Sequence, residues 1–254
     1  MSSLAKEHED PRLSIIPRRL SRFKQVVIVL SPKGGVGKTT VSVLLALAIS
    51  KWYGKTALLD LDVTNPTTHI VLGLNIEEVG IEEDKGILPM KIPGENIEFM
   101  TIAFFTKNKL LPLRGIDIVN IVRELLSVTR WDSDILVVDS PPGFSDEILE
   151  FSKFTRKAKY LIISTPDPLA ISSAQRVVEL LQSEKQFIIG IVGNMCREDR
   201  DLMYLQKLSS FIGIEVLTCL PWVNEIHKHY GNYSYLFNLF GGNLLPIVNR
   251  IVSE

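Results

Sequence analysis

Short apolar runs alternate along the chain with longer stretches in which apolar residues recur at helical spacing. Residues 26–30 form such a run, and Val41, Leu44, Leu45, Ala48 and Ile49 then share one stripe of a helix that Gly54 closes. Residues 56–61 and 97–104 read as strands, and Ile118, Ile121, Val122 and Leu125 fall on one helical face ahead of a third strand at 135–138. A strand at 160–164, a helix with Ile171, Ala174, Val177, Val178 and Leu181 toward the core, and strands at 187–192 and 215–220 complete the series. Buried strands separated by one-sided helices predict an α/β fold, a mostly parallel sheet with helices on both faces.

Three stretches stand outside that rhythm. Residues 1–24 carry Pro11 and Pro17 with the basic cluster Arg18, Arg19, Arg22 and Lys24, and are expected to form a basic N-terminal arm on a single domain spanning 25–254. Residues 74–98 are acidic and broken by Pro89, Pro93 and Gly94, which predicts a surface excursion. The tail, 243–254, is apolar with the single cation Arg250; it has too few basic residues for a membrane-surface helix and is expected to pack on the sheet edge.

Composition narrows the classes. With 46% hydrophobic and 22% charged residues and a net charge of -1, the chain is too apolar to be disordered and gives no strong nucleic-acid signal. No apolar run is long enough to span a bilayer and the first ten residues are polar and acidic, so a cytoplasmic protein is expected. Cys196 and Cys219 are too far apart for a C-x-x-C pair and read as buried thiols in a reducing compartment. His227 and His229, without a third ligand in view, read as surface residues.

The chemistry begins between the first strand and the first helix, at Lys33-Gly34-Gly35-Val36-Gly37-Lys38-Thr39-Thr40. Gly34, Gly35 and Gly37 let the backbone wrap an anion and aim N–H groups at it, and the helix start adds its positive end. Lys38 is placed to reach the β- and γ-phosphates of a nucleoside triphosphate and Thr39 to ligate the magnesium ion that bridges them. Asp60 and Asp62 end the second strand two residues apart, where both carboxylates are expected to face the metal and phosphates. Asp139 closes an apolar strand in Asp139-Ser140-Pro141-Pro142-Gly143 and is placed to hold a metal-bound water, with the Gly143 N–H offered to the γ-phosphate and Ser145 capping the next helix. Asn194, at a strand end, can pair with a base edge; Met195 and Arg197 stand where a guanine site needs lysine and aspartate, which favours adenine.

The leading lysine of this string, with Pro32 where the general motif has glycine, resembles the deviant Walker A ATPases, the group of MinD, ParA and Mrp/ApbC proteins. Leu58-Leu59-Asp60-Leu61-Asp62 through Asn65-Pro66-Thr67, and the Arg114-Gly115, helix, Trp131-Asp132, strand series, are most similar to Mrp/ApbC. The resemblance implies the SIMIBI branch of P-loop proteins and a slow ATPase that sandwiches Mg-ATP between two copies. It also implies the roles of Lys33 on the partner's nucleotide, Asp62 on the attacking water, Asp60 as an outer-sphere metal partner, and Asn194 and Pro221 at the adenine. Mrp/ApbC proteins are iron–sulfur cluster carriers, most of which hold a bridging cluster on a C-x-x-C just after the segment matching Asn194-Met195; this chain has Cys196 alone there. The other output that the resemblance implies is a ParA/MinD-like scaffold acting on DNA, membrane or a protein client.

Overall fold

In the computed structural model the described residues are 10–107, 109, 114–155 and 157–253, so the acidic start of the chain lies outside them. The elements run α1 (Arg12–Leu20), β1 (Gln25–Leu30), α2 (Lys38–Trp52), β2 (Thr56–Asp60), α3 (Thr68–Val71), β3 (Glu82–Glu83), β4 (Ile87–Leu88), β5 (Met90–Lys91) and β6 (Ile97–Met100). They continue with α4 (Ala103–Thr106), α5 (Ile116–Val128), β7 (Ile135–Asp139), α6 (Asp146–Phe154), β8 (Ala158–Ser164), α7 (Pro168–Ser183), β9 (Phe187–Cys196), α8 (Asp199–Ile212), β10 (Val216–Pro221) and α9 (Tyr233–Ser253).

Eight strands form one sheet in the order β10-β9-β8-β1-β7-β2-β6-β5. Every neighbouring pair is parallel except β5 with β6. The apolar runs explain the centre: β2, β7 and β8 are buried along their whole length, as strands covered on both faces must be. Strand β1 lies between β7 and β8, and the chain leaves it toward β2 on one side and later returns to β8 on the other. A crevice therefore opens beyond the C-terminal ends of these strands, where ligands of open α/β sheets bind.

Four segments depart from the sequence reading. Residues 12–20 are helical: Ile16, Leu20 and Phe23, spaced four and three apart, enter the same core as the strands, and Arg19 donates to the Thr129 carbonyl at 2.9 Å. Strand β6 stops at Met100, because the Thr101 hydroxyl accepts the Ala103 N–H at 3.2 Å and turns the chain into α4. Within the acidic excursion β3 and β4 pair with each other, while β5 closes the sheet edge. The tail helix α9 begins at Tyr233, well ahead of residue 243, and packs on α2 as well as on the edge strand β10.

Helix α8 has no counterpart in the apolar pattern. Leu205 is buried, but Met203, Tyr204 and Phe211 are exposed, so no clean stripe marks it. Its signal is local: Glu198 and Asp201 make a reciprocal capping box.

Candidate nucleotide site

Residues 31–37 connect β1 to α2 and turn through two left-handed glycines, Gly35 at φ +82 and Gly37 at φ +81. A Cβ at Gly37 would collide with the Asn194 amide, whereas the space over Gly34 and Gly35 is open. That combination makes the loop an anion cradle at the start of α2.

Two carboxylates lie beneath it. Asp60 and Asp139 end adjacent strands in direct register, and both are buried. Lys38 Nζ donates to Asp139 Oδ1 at 2.7 Å, Ser42 Oγ donates to the same oxygen at 2.8 Å, and Thr68 Oγ1 donates to Asp139 Oδ2 at 2.9 Å. Asp60 accepts from the Thr68 N–H at 3.2 Å, from the Asp62 N–H at 3.2 Å and from Thr101 Oγ1 at 3.4 Å. Burial first, and then the neighbouring charge of Asp139, raises the Asp60 pKa from 3.8 to about 8.

Several expected placements are corrected. Asp60 and Asp62 do not face one site together: Asp60 turns inward, while Asp62 Oδ1 accepts from Thr64 Oγ1 and the Asn65 N–H, both at 2.9 Å, and so builds the loop that follows β2. The Gly143 N–H is donated to the Ser31 carbonyl at 2.8 Å, which braces the loop after β7 against the end of β1. Ser145 occupies the N-cap position of α6, but its hydroxyl makes no capping bond. Lys33 Nζ is held by Asp167, at 3.1 Å from Oδ1 and 3.3 Å from Oδ2. Asp167 itself caps α7 by accepting from the Leu169 and Ala170 N–H groups.

On this geometry the comparisons with known proteins are decisive. The family model described as "ParA: NUBPL iron-transfer P-loop NTPase" matches residues 22–229. The chain belongs to this family. It is 32% identical over 226 residues to an iron-sulfur cluster carrier protein of Pseudomonas fragi, covering 84% of this chain and 78% of that one. It is 35% identical over 183 residues to the cytosolic Fe-S cluster assembly factor Nubp2 homolog 2 of Drosophila yakuba, covering 69% and 70%. Among solved structures it resembles a nucleotide-binding protein in complex with ADP from Archaeoglobus fulgidus, with a TM-score of 0.71, 27% identity and coverage of 88% and 92%. Its fold is also that of the cell division ATPase MinD of Pyrococcus furiosus, with a TM-score of 0.65, 17% identity and coverage of 90% and 98%.

Beside the glycine loop of this NUBPL-type NTPase lies a cavity of 450 Å³ whose lining includes Gly37, Thr40, Asn194, Met195, Pro221 and Tyr230. That volume lies within the range of small-molecule sites. Asn194 is largely spent on the cradle: its Nδ2 donates to the Val36 carbonyl at 2.8 Å, so it ties β9 to the glycine loop. Tyr230 OH and Thr40 Oγ1 lie 3.2 Å apart, and the Arg197 guanidinium sits over the Trp222 ring at 4.6 Å.

Behind this wall Cys196 and Cys219 form a disulfide with a Cα–Cα distance of 6.1 Å. They are half-buried, not the buried free thiols the sequence suggested, because parallel pairing of β9 and β10 brings together positions 23 apart in the chain. His227 is exposed and His229 stacks on Tyr235 at 3.9 Å.

The loop that leads into α9 is joined to α3. The Gly231 N–H donates to the Val71 carbonyl at 3.2 Å, and Tyr233 OH donates to the Leu72 carbonyl at 2.6 Å. Gly73 and Gly231 are both left-handed, and a Cβ on Gly73 would lie 2.7 Å from Gly231 Cα. Thr68, Asp167 and this glycine crossing were not singled out from sequence; only Asp167-Pro168 carried a signal, an N-cap followed by proline at the first helical position.

Among the described residues, no group of three or more His, Cys, Asp or Glu side chains is arranged to hold a metal by itself. Thr39, Asp139 and Asp60 fit an ion that shares its ligands with phosphate oxygens, since an all-oxygen donor set suits a hard divalent cation such as Mg2+. Among the same residues no helix is long and apolar enough to cross a membrane.

Proposed function

We propose that this NUBPL-family protein is a dimeric switch driven by binding and slow hydrolysis of Mg-ATP in the cytoplasm. The observation that carries the reading is the buried cluster of Lys38, Asp139 and Asp60 at the floor of the open glycine loop. One cation faces two carboxyl groups there, a charge balance that suits the arrival of a polyphosphate with a divalent ion. Lys38 would turn from Asp139 to the β- and γ-phosphates, and Thr39 and Asp139 would hold the ion directly and through water, with Asp60 behind them. The ion, when bound, neutralises charge on the bridging phosphate oxygens.

Lys33, on the rim of the loop, is the group to reach a second copy's nucleotide, and Asp62 is the group to orient water. The ADP named with the Archaeoglobus fulgidus structure supports an adenine nucleotide here. The names of the relatives support iron–sulfur cluster handling as the work of the switch, with the cluster as cargo. The chain's own thiols do not fit a cluster in the disulfide form, because Cys196 and Cys219 are bonded to each other.

Calorimetric titration with Mg-ATP and Mg-GTP, with sizing by light scattering and a phosphate-release assay, tests the reading. Selective ATP uptake, ATP-dependent doubling of mass and slow phosphate release are expected; no ATP uptake would overturn it. Anaerobic incubation of the reduced protein with iron and sulfide tests the cargo, a stoichiometric cluster absorbance being the supporting result.

A further inference from the structure

We infer that Thr68 is a positioning residue of the metal site, through which the segment after β2 grips Asp139 and so sets how tightly Mg2+ is taken up. The inference rests on the Mg-ATP reading above and assigns a role to a residue outside the glycine loop.

Thr68 is completely buried and serves both strand-end carboxylates at once, its hydroxyl donating to Asp139 and its N–H to Asp60. Asp139 divides its partners between its oxygens: Oδ1 receives Lys38 and Ser42, and Oδ2 receives Thr68. Once Lys38 moves to phosphate, Asp139 keeps one hydroxyl on each oxygen, Ser42 from α2 and Thr68 from α3. Each oxygen then has a lone pair left for a water on the ion. Two fixed hydroxyls at opposite oxygens hold the carboxylate plane, and removing the one on Oδ2 lets it swing about the other.

Helix α3 is a single turn, which would not hold a side chain in place on its own. It is anchored instead, by the Gly231 and Tyr233 hydrogen bonds at its far end. Thr68 is therefore presented to Asp139 from a fixed frame, as a partner that orients a metal ligand must be.

The test measures Mg2+ binding by calorimetry to protein saturated with a non-hydrolysable ATP analogue, beside phosphate release against Mg2+ concentration at saturating ATP, for the parent, Thr68→Val, Thr68→Ala and Thr68→Ser. Thermal melts without nucleotide establish that each is folded; Val removes the hydroxyl while keeping the shape of Thr, and Ala removes it and leaves a small cavity. Val and Ala are expected to raise the Mg2+ needed for half-maximal rate about 10- to 100-fold, the usual cost of losing a partner that orients a ligand, while Ser stays close to the parent. Folded Val or Ala variants with the parent's Mg2+ dependence would overturn the inference and leave the ATPase reading standing. A parent that hydrolyses no ATP would sink both, and a Ser variant as impaired as Val would overturn the hydroxyl's role.

Discussion

The ammonium of Lys38 rests 2.7 Å from Asp139 Oδ1, and both side chains are shut off from solvent. A triphosphate entering the glycine loop competes with that carboxylate for the same cation. Lys38→Ala removes the phosphate ligand and strands a buried charge, so it is expected to abolish nucleotide uptake and to cost about 3–5 kcal/mol of stability. Urea denaturation beside calorimetry checks this; an unchanged midpoint would mean that Asp139 is neutralised some other way.

Lys33 is half-exposed and bound to Asp167, away from the buried cluster. Lys33→Ala is therefore expected to leave ATP affinity of the single subunit within about threefold, since an exposed ion pair contributes little, on the order of 1 kcal/mol or less. The same change should eliminate ATP-dependent dimerisation or turnover, read by light scattering and phosphate release. Parental turnover in the variant would remove the role assigned to Lys33 across the dimer.

Asp62 shapes its own loop through Thr64 and Asn65, so its replacement acts on the segment after β2 and not on the floor of the site. Asp62→Ala should bind ATP but hydrolyse it about 10²–10⁴-fold more slowly, the range for loss of a group that positions or deprotonates water. Sizing in the presence of ATP should then show a persistent dimer. Hydrolysis at the parental rate would assign the water to another residue.

The raised pKa of Asp60 fixes the sign of a pH effect on stability in the absence of Mg2+ and nucleotide. The folded state holds a proton that the unfolded chain releases near 3.8, so this contribution is fully present below that pH, declines as pH rises and is lost by about 8. Asp60→Asn, neutral at every pH, should flatten the decline across that window in chemical denaturation curves. A parent whose stability does not depend on Asp60 between pH 4 and 8 would contradict the buried, neutral carboxyl.

The Cys196–Cys219 bond closes a loop through α8 between neighbouring strands, positions 23 apart. Reduction, or a double change to Ser, is expected to lower stability by about 3 kcal/mol through the loop-closure entropy restored to the unfolded chain. Equilibrium urea curves with and without dithiothreitol measure it, and coincident curves would indicate that the two thiols are not joined in solution.

Much of this was legible from apolar periodicity and glycine placement. The runs at β1, β7 and β8 mark the sheet centre because strands covered on both faces must be apolar throughout, and the glycine loop announces an anion by backbone freedom alone. Where one carboxylate points was not legible: Asp60 and Asp62 share a strand parity, yet the chain leaves the strand at Asp60, and a loop no longer obeys alternation. Thr68 was hidden for a related reason, since its partners lie 8 and 71 positions away and only the fold brings them together. The disulfide likewise follows from which strands are neighbours, information that spacing does not carry.

The crossing of Gly73 and Gly231 yokes the turn after α3 to the loop that leads into α9. With no side chain between the backbones there is no cushion to absorb a displacement, and the Gly231–Val71 and Tyr233–Leu72 bonds resist sliding. A shift of the turn that carries Thr68 is therefore passed to Tyr230 and its neighbours in the lining of the 450 Å³ cavity.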